Sequence, residues 1–112
     1  MEILKLLEGS PVVKSYQVLD FKALEEGWYF KIKVDLTDGS VLHAREYTAP
    51  SERKYSFHWQ DAQSNLRIRW DNAPHYDHLP THPHHKHVGQ DVQPSKKISL
   101  RDVLEYIEHR LT

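Results

Sequence analysis

The feature that most constrains the fold is a strict alternation of apolar and polar residues in three separate runs. In WYFKIKVDL, residues 28–36, every second residue is large and apolar. The pattern returns in KYSFHWQ, residues 54–60, and in LRIRWD, residues 66–71. A period of two is typical of a β-strand with one buried face and one exposed face. The chain is therefore predicted to be built on a sheet.

The segments between these runs are short and rich in turn residues. TDGS, residues 37–40, offers Asp38-Gly39 as a tight turn with positive φ values, and VLHAREY, residues 41–47, would return as the partner strand. Residues 12–24 are rich in β-branched and aromatic side chains, but their alternation is imperfect, so a bulge or an edge position is expected. Residues 12–71 thus predict an antiparallel meander of four to five strands.

Helical periodicity is found only near the two ends of the chain. Residues 2–8 predict a short N-terminal helix. Residues 99–111 predict a longer one with Ser99 as N-cap, Asp102 three residues later and an apolar stripe suited to covering the sheet. We therefore predict an α+β fold and a single domain over residues 1–112.

Between the sheet and the last helix, residues 72–98 contain four prolines and no regular periodicity. Proline lacks an amide donor and fixes φ, so neither a helix nor a central strand is expected there. A long irregular segment in a small domain is usually either functional or poorly ordered. We interpret residues 72–98 as a His/Pro-rich functional loop.

Composition excludes several classes of protein. Without cysteine, the chain has neither disulfides nor thiolate zinc ligands. The net charge of −1 gives no general attraction to nucleic acid, so any polyanion must bind to a local patch. No run approaches the roughly 20 apolar residues that span a bilayer, and the N-terminus lacks the features of a signal peptide. A cytoplasmic protein without membrane contact is expected.

The histidine cluster THPHHKH, residues 81–87, allows a metal site. His84, His85 and His87 are close enough in sequence to share zinc, copper or nickel. However, no HExxH motif is present, and adjacent histidines point in opposite directions on an extended backbone. We therefore expect no cofactor beyond adventitious zinc or nickel.

The same cluster also suits acid–base chemistry on RNA. Cleavage by the ribose 2′-hydroxyl needs a base, an acid and cations for the developing phosphorane charge. Histidine suits both proton roles, and Lys86 lies among the three histidines. Arg67 and Arg69 lie on the strand that precedes the loop, where they are candidates for binding substrate.

A plainer interpretation remains open for each of these residues. The loop could be a soluble linker, and arginines on the exposed face of a strand are expected to be solvated. Trp28, Trp59 and Trp70 are in phase with other apolar residues, so they are predicted to be core rather than base-stacking residues.

Two motifs carry a family resemblance. RWDNAPH, residues 69–75, is followed by PHHKH, residues 83–87, and upstream lies KYSFHWQD, residues 54–61. Together they resemble the TumE family, the toxins of bacterial and archaeal toxin–antitoxin pairs, from about residue 15 to the last helix. The resemblance implies a small ribonuclease toxin neutralised by an antitoxin with a helix-turn-helix domain. Its matching positions imply a functional cluster of Tyr55, His58, Arg69, Asp71, His75, His84, His85 and His87. The chain departs from the pattern at Tyr76, where a histidine is often found.

These observations lead to the hypothesis of a metal-independent endoribonuclease. One or two of His84, His85 and His87 would transfer protons, Lys86 and Arg69 would contact phosphate, and Asp71 would orient a neighbouring side chain. Tyr55 and His58 have opposite parity on their strand, so they would not share one cleft without a bulge. The alternative is a non-catalytic or metal-binding module whose histidine-rich loop docks a partner or binds a transition metal. Open edge strands also make a homodimer an expectation.

Overall fold

The computed structural model describes residues 2–112, so Met1 lies outside the described residues. Two helices flank a meander of strands. The elements are α1 (Glu2–Glu8), β1 (Val13–Leu24), β2 (Gly27–Leu36), β3 (Val41–Ala49), β4 (Glu52–Gln60), β5 (Leu66–Asp71), β6 (His85–Val88), β7 (Asp91–Pro94) and α2 (Leu100–Leu111). The α+β class and both predicted helices are confirmed.

All strands form one antiparallel sheet whose spatial order follows the sequence from β1 to β7. The sheet has seven strands, so the predicted number of four to five was too small. β1 is an edge strand with register shifts at Val13/Ser15 and Val18/Asp20, as its imperfect alternation indicated. The β2–β3 hairpin forms as expected, although only Gly39 of its turn has a positive φ, and Asp38 instead accepts a hydrogen bond from the amide of Ser40.

The two additional strands lie inside residues 72–98, which were predicted to be a loop. β6 and β7 form a short hairpin through Gly89 and Gln90, and the positive φ of Gly89 suits a two-residue turn. The sequence concealed this hairpin because the one side chain that β6 buries is His85, and a search for alternating apolar residues passes over a histidine. Pro94 ends the outer strand, where the sheet needs no further amide donor.

The core lies between one face of the sheet and the two helices. Phe30, Ile32, Leu42, Phe57, Trp59 and Trp70 from the sheet pack with Leu7 of α1 and Val103, Leu104 and Ile107 of α2. Ser99 caps α2 in a reciprocal capping box with Asp102, as predicted. Trp28, by contrast, was predicted to be core and is 42% exposed. It lies near the start of β2, where it lines a hollow beside the N-terminal end of α2, and its indole N–H donates to Glu46 at 3.0 Å.

Within residues 2–112, no helix is both long enough and apolar enough to cross a membrane.

Candidate functional site

The sheet face that the helices leave uncovered carries two neighbouring rows of polar side chains. Because directly paired residues on antiparallel strands point to the same face, each row can be read from the strand register. The first row is Lys31, Arg45, Ser56, Asp71 and His85, and the second is Lys33, His43, His58, Arg69 and His87. Both rows end in a histidine of β6. The register therefore brings a line of cationic residues to the histidines.

At the β5–β6 end of these rows, three side chains converge. Nε2 of His85 lies 2.9 Å from Oδ1 of Asp71. Nε2 of His87 lies 3.4 Å from Oδ2 of the same carboxylate, and the two Nε2 atoms are 3.1 Å apart. His85 is 1% exposed, whereas the side chain of His87 is 24% exposed. We call Asp71, His85 and His87 the triad.

The orientation of the buried ring is fixed from the backbone. Nδ1 of His85 lies 2.9 Å from the carbonyl oxygen of Pro83. A carbonyl can only accept, so Nδ1 carries a proton and donates it. In neutral His85 the lone pair is then on Nε2, where it faces the carboxylate of Asp71 and the ring of His87. The lone pair of His85 and the carboxylate of Asp71 thus point at one spot beside Nε2 of His87, and they need a proton or another cation between them.

The Asp71 carboxylate is itself anchored on two sides. Its Oδ1 accepts from the amide of Ala73 at 3.0 Å, and its Oδ2 accepts from Nε of Arg69 at 3.3 Å. Arg69 also donates through Nη1 to Nδ1 of His58 at 3.3 Å. Burial first, and then the charge of Arg69, lower the pKa of His58, which keeps Nδ1 available as an acceptor. His58 therefore holds the guanidinium in place.

Above the triad, the segment between β5 and β6 folds back over the open face. The ring of Tyr76 lies with its centroid 4.7 Å from that of His85 and 5.8 Å from that of His87. His75 is exposed beside it on the wall of the same cleft. This cleft has a volume of about 890 Å³, and the triad and Arg69 are also part of its lining.

His84 lies on the other side of the sheet from the triad. Its Nδ1 is 2.8 Å from the hydroxyl of Tyr55, which belongs to the core face. Arg53 lies over the Tyr55 ring at 4.3 Å and pairs with the buried carboxylate of Glu46 at 2.6 Å. Burial and the charge of Arg53 lower the pKa of His84. The expected separation of adjacent histidines on an extended backbone is therefore observed.

Two expected substrate-binding residues also lie away from the triad. Lys86 is paired with Trp70 in the register, so it points to the helix side, between two histidines that point the other way. Arg67 follows a register shift between β4 and β5, pairs with Asp38 at 2.8 Å and covers the ring of Trp59. Proximity in sequence therefore does not bring either residue to the triad, and their predicted role in substrate binding stays a prediction.

Other residues of the cleft were not singled out from the sequence. Tyr29, Arg45, Tyr47, Lys54 and Tyr76 all line it. Alternation does assign the first four to an exposed face, but it does not say which exposed residues lie across from β5 and β6. The pairing of β3 with β4 and of β4 with β5 supplies that information.

A metal ion would find its ligands in the triad. The ligand atoms of Asp71, His85 and His87 all lie within 4.8 Å of one another. The set considered from the sequence, His84 with His85 and His87, is not brought together, because His84 faces Tyr55.

The Tyr55–His84 contact generates a prediction about stability at high pH. Burial raises the pKa of Tyr55 to about 12 from the usual 10.0. The folded state therefore favours the protonated phenol, and this stabilisation is complete below pH 10 and is lost as the pH rises to about 12. Urea unfolding of the wild type and of Tyr55→Phe should show a difference in free energy of unfolding that narrows over this range. A difference that stays constant would contradict the raised pKa of Tyr55 in the folded protein.

Comparisons with known proteins agree with the motifs. The sequence model of a family described as "Toxin TumE" matches residues 3–111. Searches of curated proteins and of solved structures returned no significant match. Because the family match covers nearly the whole chain, including every residue of the triad and the cleft, the chain belongs to the TumE toxin family.

Proposed function

We propose that this chain, as the toxin of a toxin–antitoxin pair, is a metal-independent endoribonuclease that acts in the cytoplasm. The observation that carries the proposal is the position of the triad. An Asp–His–His group lies beside the guanidinium of Arg69, in a cleft at the end of two cationic rows. Family membership implies a toxin with an antitoxin partner, and the cleft supports RNA cleavage as its activity.

The proposed reaction is a transfer of the phosphoryl group within the RNA chain. A base removes the proton of the 2′-hydroxyl, and the 2′-oxygen attacks the adjacent phosphorus. The bond from phosphorus to the 5′-oxygen breaks, and an acid gives that oxygen a proton. The products are a 2′,3′-cyclic phosphate and a 5′-hydroxyl, so no metal or other co-reactant is consumed.

His87 is the proposed base. Its Nε2 faces the other two members of the triad, Asp71 and His85, and its Nδ1 has no hydrogen-bond partner within residues 2–112. A proton on Nε2, shared with Asp71 or His85, leaves the lone pair on Nδ1. Burial lowers the pKa of His87, and this effect outweighs the opposing charge of Asp71. The ring is therefore neutral, and able to accept a proton, near pH 7.

Other residues near the cleft are proposed to position His87, to bind the phosphate or to protonate the leaving oxygen. His85 is too buried to touch substrate, so it and Asp71 are positioning residues for His87. Arg69 is 37% exposed and is the proposed contact for the phosphate charge. His75, which lines the same cleft, is the proposed acid for the leaving oxygen. His58 positions Arg69, while Tyr55 and His84 support the cleft wall from the helix side.

The cationic rows are the proposed track for the RNA backbone. Lys31, Lys33 and Arg45 form no ion pair in the part of the chain that the structure describes. Burial lowers the pKa of His43, and the positive charges of Lys33 and Lys31 lower it further. The two lysines therefore contribute to a positive potential on this face. A second hollow shares Arg45, Ser56 and Arg69 with the cleft and extends it toward β2. This local patch overcomes the net charge of −1.

His87→Ala tests the chemistry. Loss of an acid–base group should lower the rate of RNA cleavage by roughly 10²-fold or more, measured on a labelled RNA in EDTA. His109→Ala removes an exposed histidine of α2 and should cleave at the wild-type rate. Wild-type cleavage by a folded His87→Ala protein would remove the base from the mechanism. No cleavage by the wild type would favour the alternative of a non-catalytic module.

The double variant Lys31→Gln/Lys33→Gln tests the track. For single-stranded RNA, each lost phosphate contact should make the slope of log K against log salt concentration less steep by about 0.7. The loss of two contacts should therefore change the slope by about 1.4. The measurement is titration with RNA carrying 2′-O-methyl groups, which is bound but not cleaved. Lys5→Gln/Arg101→Gln makes the same charge change on the exposed surface of the helices and should keep the wild-type slope. Equal slopes for both double variants would contradict the track.

We also propose the two partners that the resemblance and the open edge imply. The antitoxin is expected to carry a helix-turn-helix domain. A second copy of this chain is expected to pair along β1, an unpaired twelve-residue edge whose Leu19 and Phe21 are 51% and 43% exposed.

Light scattering over a range of concentrations tests the homodimer. The wild type should approach twice the chain mass, and Leu19→Lys/Phe21→Lys should lower the mass toward one chain, because charge on the edge opposes pairing. Asp91→Lys adds charge to the opposite edge strand and should leave the mass unchanged. A single-chain mass for the wild type throughout would contradict the dimer.

A further inference from the structure

We propose that the triad is also a reversible binding site for a divalent transition-metal ion such as Zn²⁺, and that the bound ion blocks cleavage. The binding claim concerns Asp71, His85 and His87 alone. The claim of blocked cleavage rests on the proposed function.

The distances suit one small ion. The Nε2 atoms of His85 and His87 are 3.1 Å apart, and they lie 2.9 Å from Oδ1 and 3.4 Å from Oδ2 of Asp71, respectively. Zinc binds imidazole nitrogen and carboxylate oxygen at about 2.0 to 2.2 Å, which in a tetrahedral site places neighbouring ligands about 3.3 Å apart. The two imidazole nitrogens and the carboxylate are therefore close to the spacing that a single ion requires.

The hydrogen bonds already orient the ligands for an ion. His85 donates from Nδ1 to the carbonyl oxygen of Pro83, which leaves the lone pair of Nε2 for the triad. A metal-ligating histidine commonly has such a backbone partner on its other nitrogen. Asp71 is held by the amide of Ala73. In the metal-free protein the proton on Nε2 of His87 lies between these groups, and a metal ion would replace that proton.

The ligand types decide the class of ion. Two imidazoles and one carboxylate favour zinc, nickel or cobalt over magnesium and calcium, which prefer oxygen ligands. The partly exposed ring of His87 leaves the remaining position open to water from the cleft. The guanidinium of Arg69, 3.3 Å from Oδ2 of Asp71, repels the ion. Binding is therefore expected to be reversible by chelators.

Coordination and base catalysis exclude each other at His87. The proposed base needs its proton on Nε2 and its lone pair on Nδ1. An ion takes the lone pair of Nε2, so the neutral ring must carry its proton on Nδ1 and can no longer accept one there. The ion thus inhibits cleavage by fixing the wrong tautomer.

Titration with Co²⁺ tests the site independently of any activity. The wild type should bind one equivalent with the visible absorption of a four-coordinate ion, and Zn²⁺, but not Mg²⁺, should displace it. His87→Ala, at a partly exposed position, should weaken binding at least tenfold. His82→Ala is the matched control, because it removes an exposed histidine of the same sequence cluster that does not belong to the triad. It should bind like the wild type.

Equal weakening in the two variants would mean that a histidine-rich surface binds the ion adventitiously, and this outcome would overturn the proposed site. So would the absence of any cobalt absorption in the wild type.

RNA cleavage with and without Zn²⁺ tests the inhibition. Zinc should lower the cleavage rate of the wild type at least tenfold, and EDTA should restore it. Cleavage that rises with zinc would overturn the inhibition and make the triad a catalytic metal centre. If cobalt binds as expected but the metal-free protein cleaves no RNA, the binding site stands and the inhibition falls with the proposed function.

Discussion

The carboxylate of Asp71 is the contact on which the arrangement of the site depends. It ends β5, accepts from Arg69 on its own strand, faces His85 and His87 on the next strand, and accepts from the amide of Ala73 where the chain leaves the sheet. A buried carboxylate without partners is costly, so these groups are held around it. The short strand β6 is thereby tied to the rest of the sheet through side chains as well as through its backbone ladder.

The period of two along each strand then decides which residues can act together. His85 and His87 point to the uncovered face, whereas Lys86 between them points toward the helices. Across the strands, the same rule collects distant residues such as Lys31 and Arg45 into a row that ends at His85. A cationic face can therefore arise on a chain whose net charge is −1, because the pleat places alternate residues of each strand on opposite faces of the sheet.

Much of the fold was predictable because apolar alternation and capping residues are local signals. β2 to β5, both helices and the Ser99 cap follow from them. β6 and β7 were missed because the side chain that β6 buries is an imidazole, that of His85, and not an apolar group. Which residues meet in the site depends on the register of the strand pairing, and no local signal in the sequence specifies which residue of β4 lies across from Asp71. His84 and Lys86 were consequently grouped with His85 and His87 by sequence distance, although the sheet separates them.

The same sorting explains why two histidines two residues apart can differ in chemistry. His85 is enclosed beneath Tyr76, and both of its ring nitrogens have partners, so its ring is held in one orientation. His87 keeps one nitrogen free of protein partners within the described residues and is partly exposed. One ring is thus fixed and orients the other, which alone can reach a substrate. In the mechanism and the metal site proposed above, the cation between the two rings, a proton or a metal ion, determines the tautomer of His87 and therefore whether its outer nitrogen is a base.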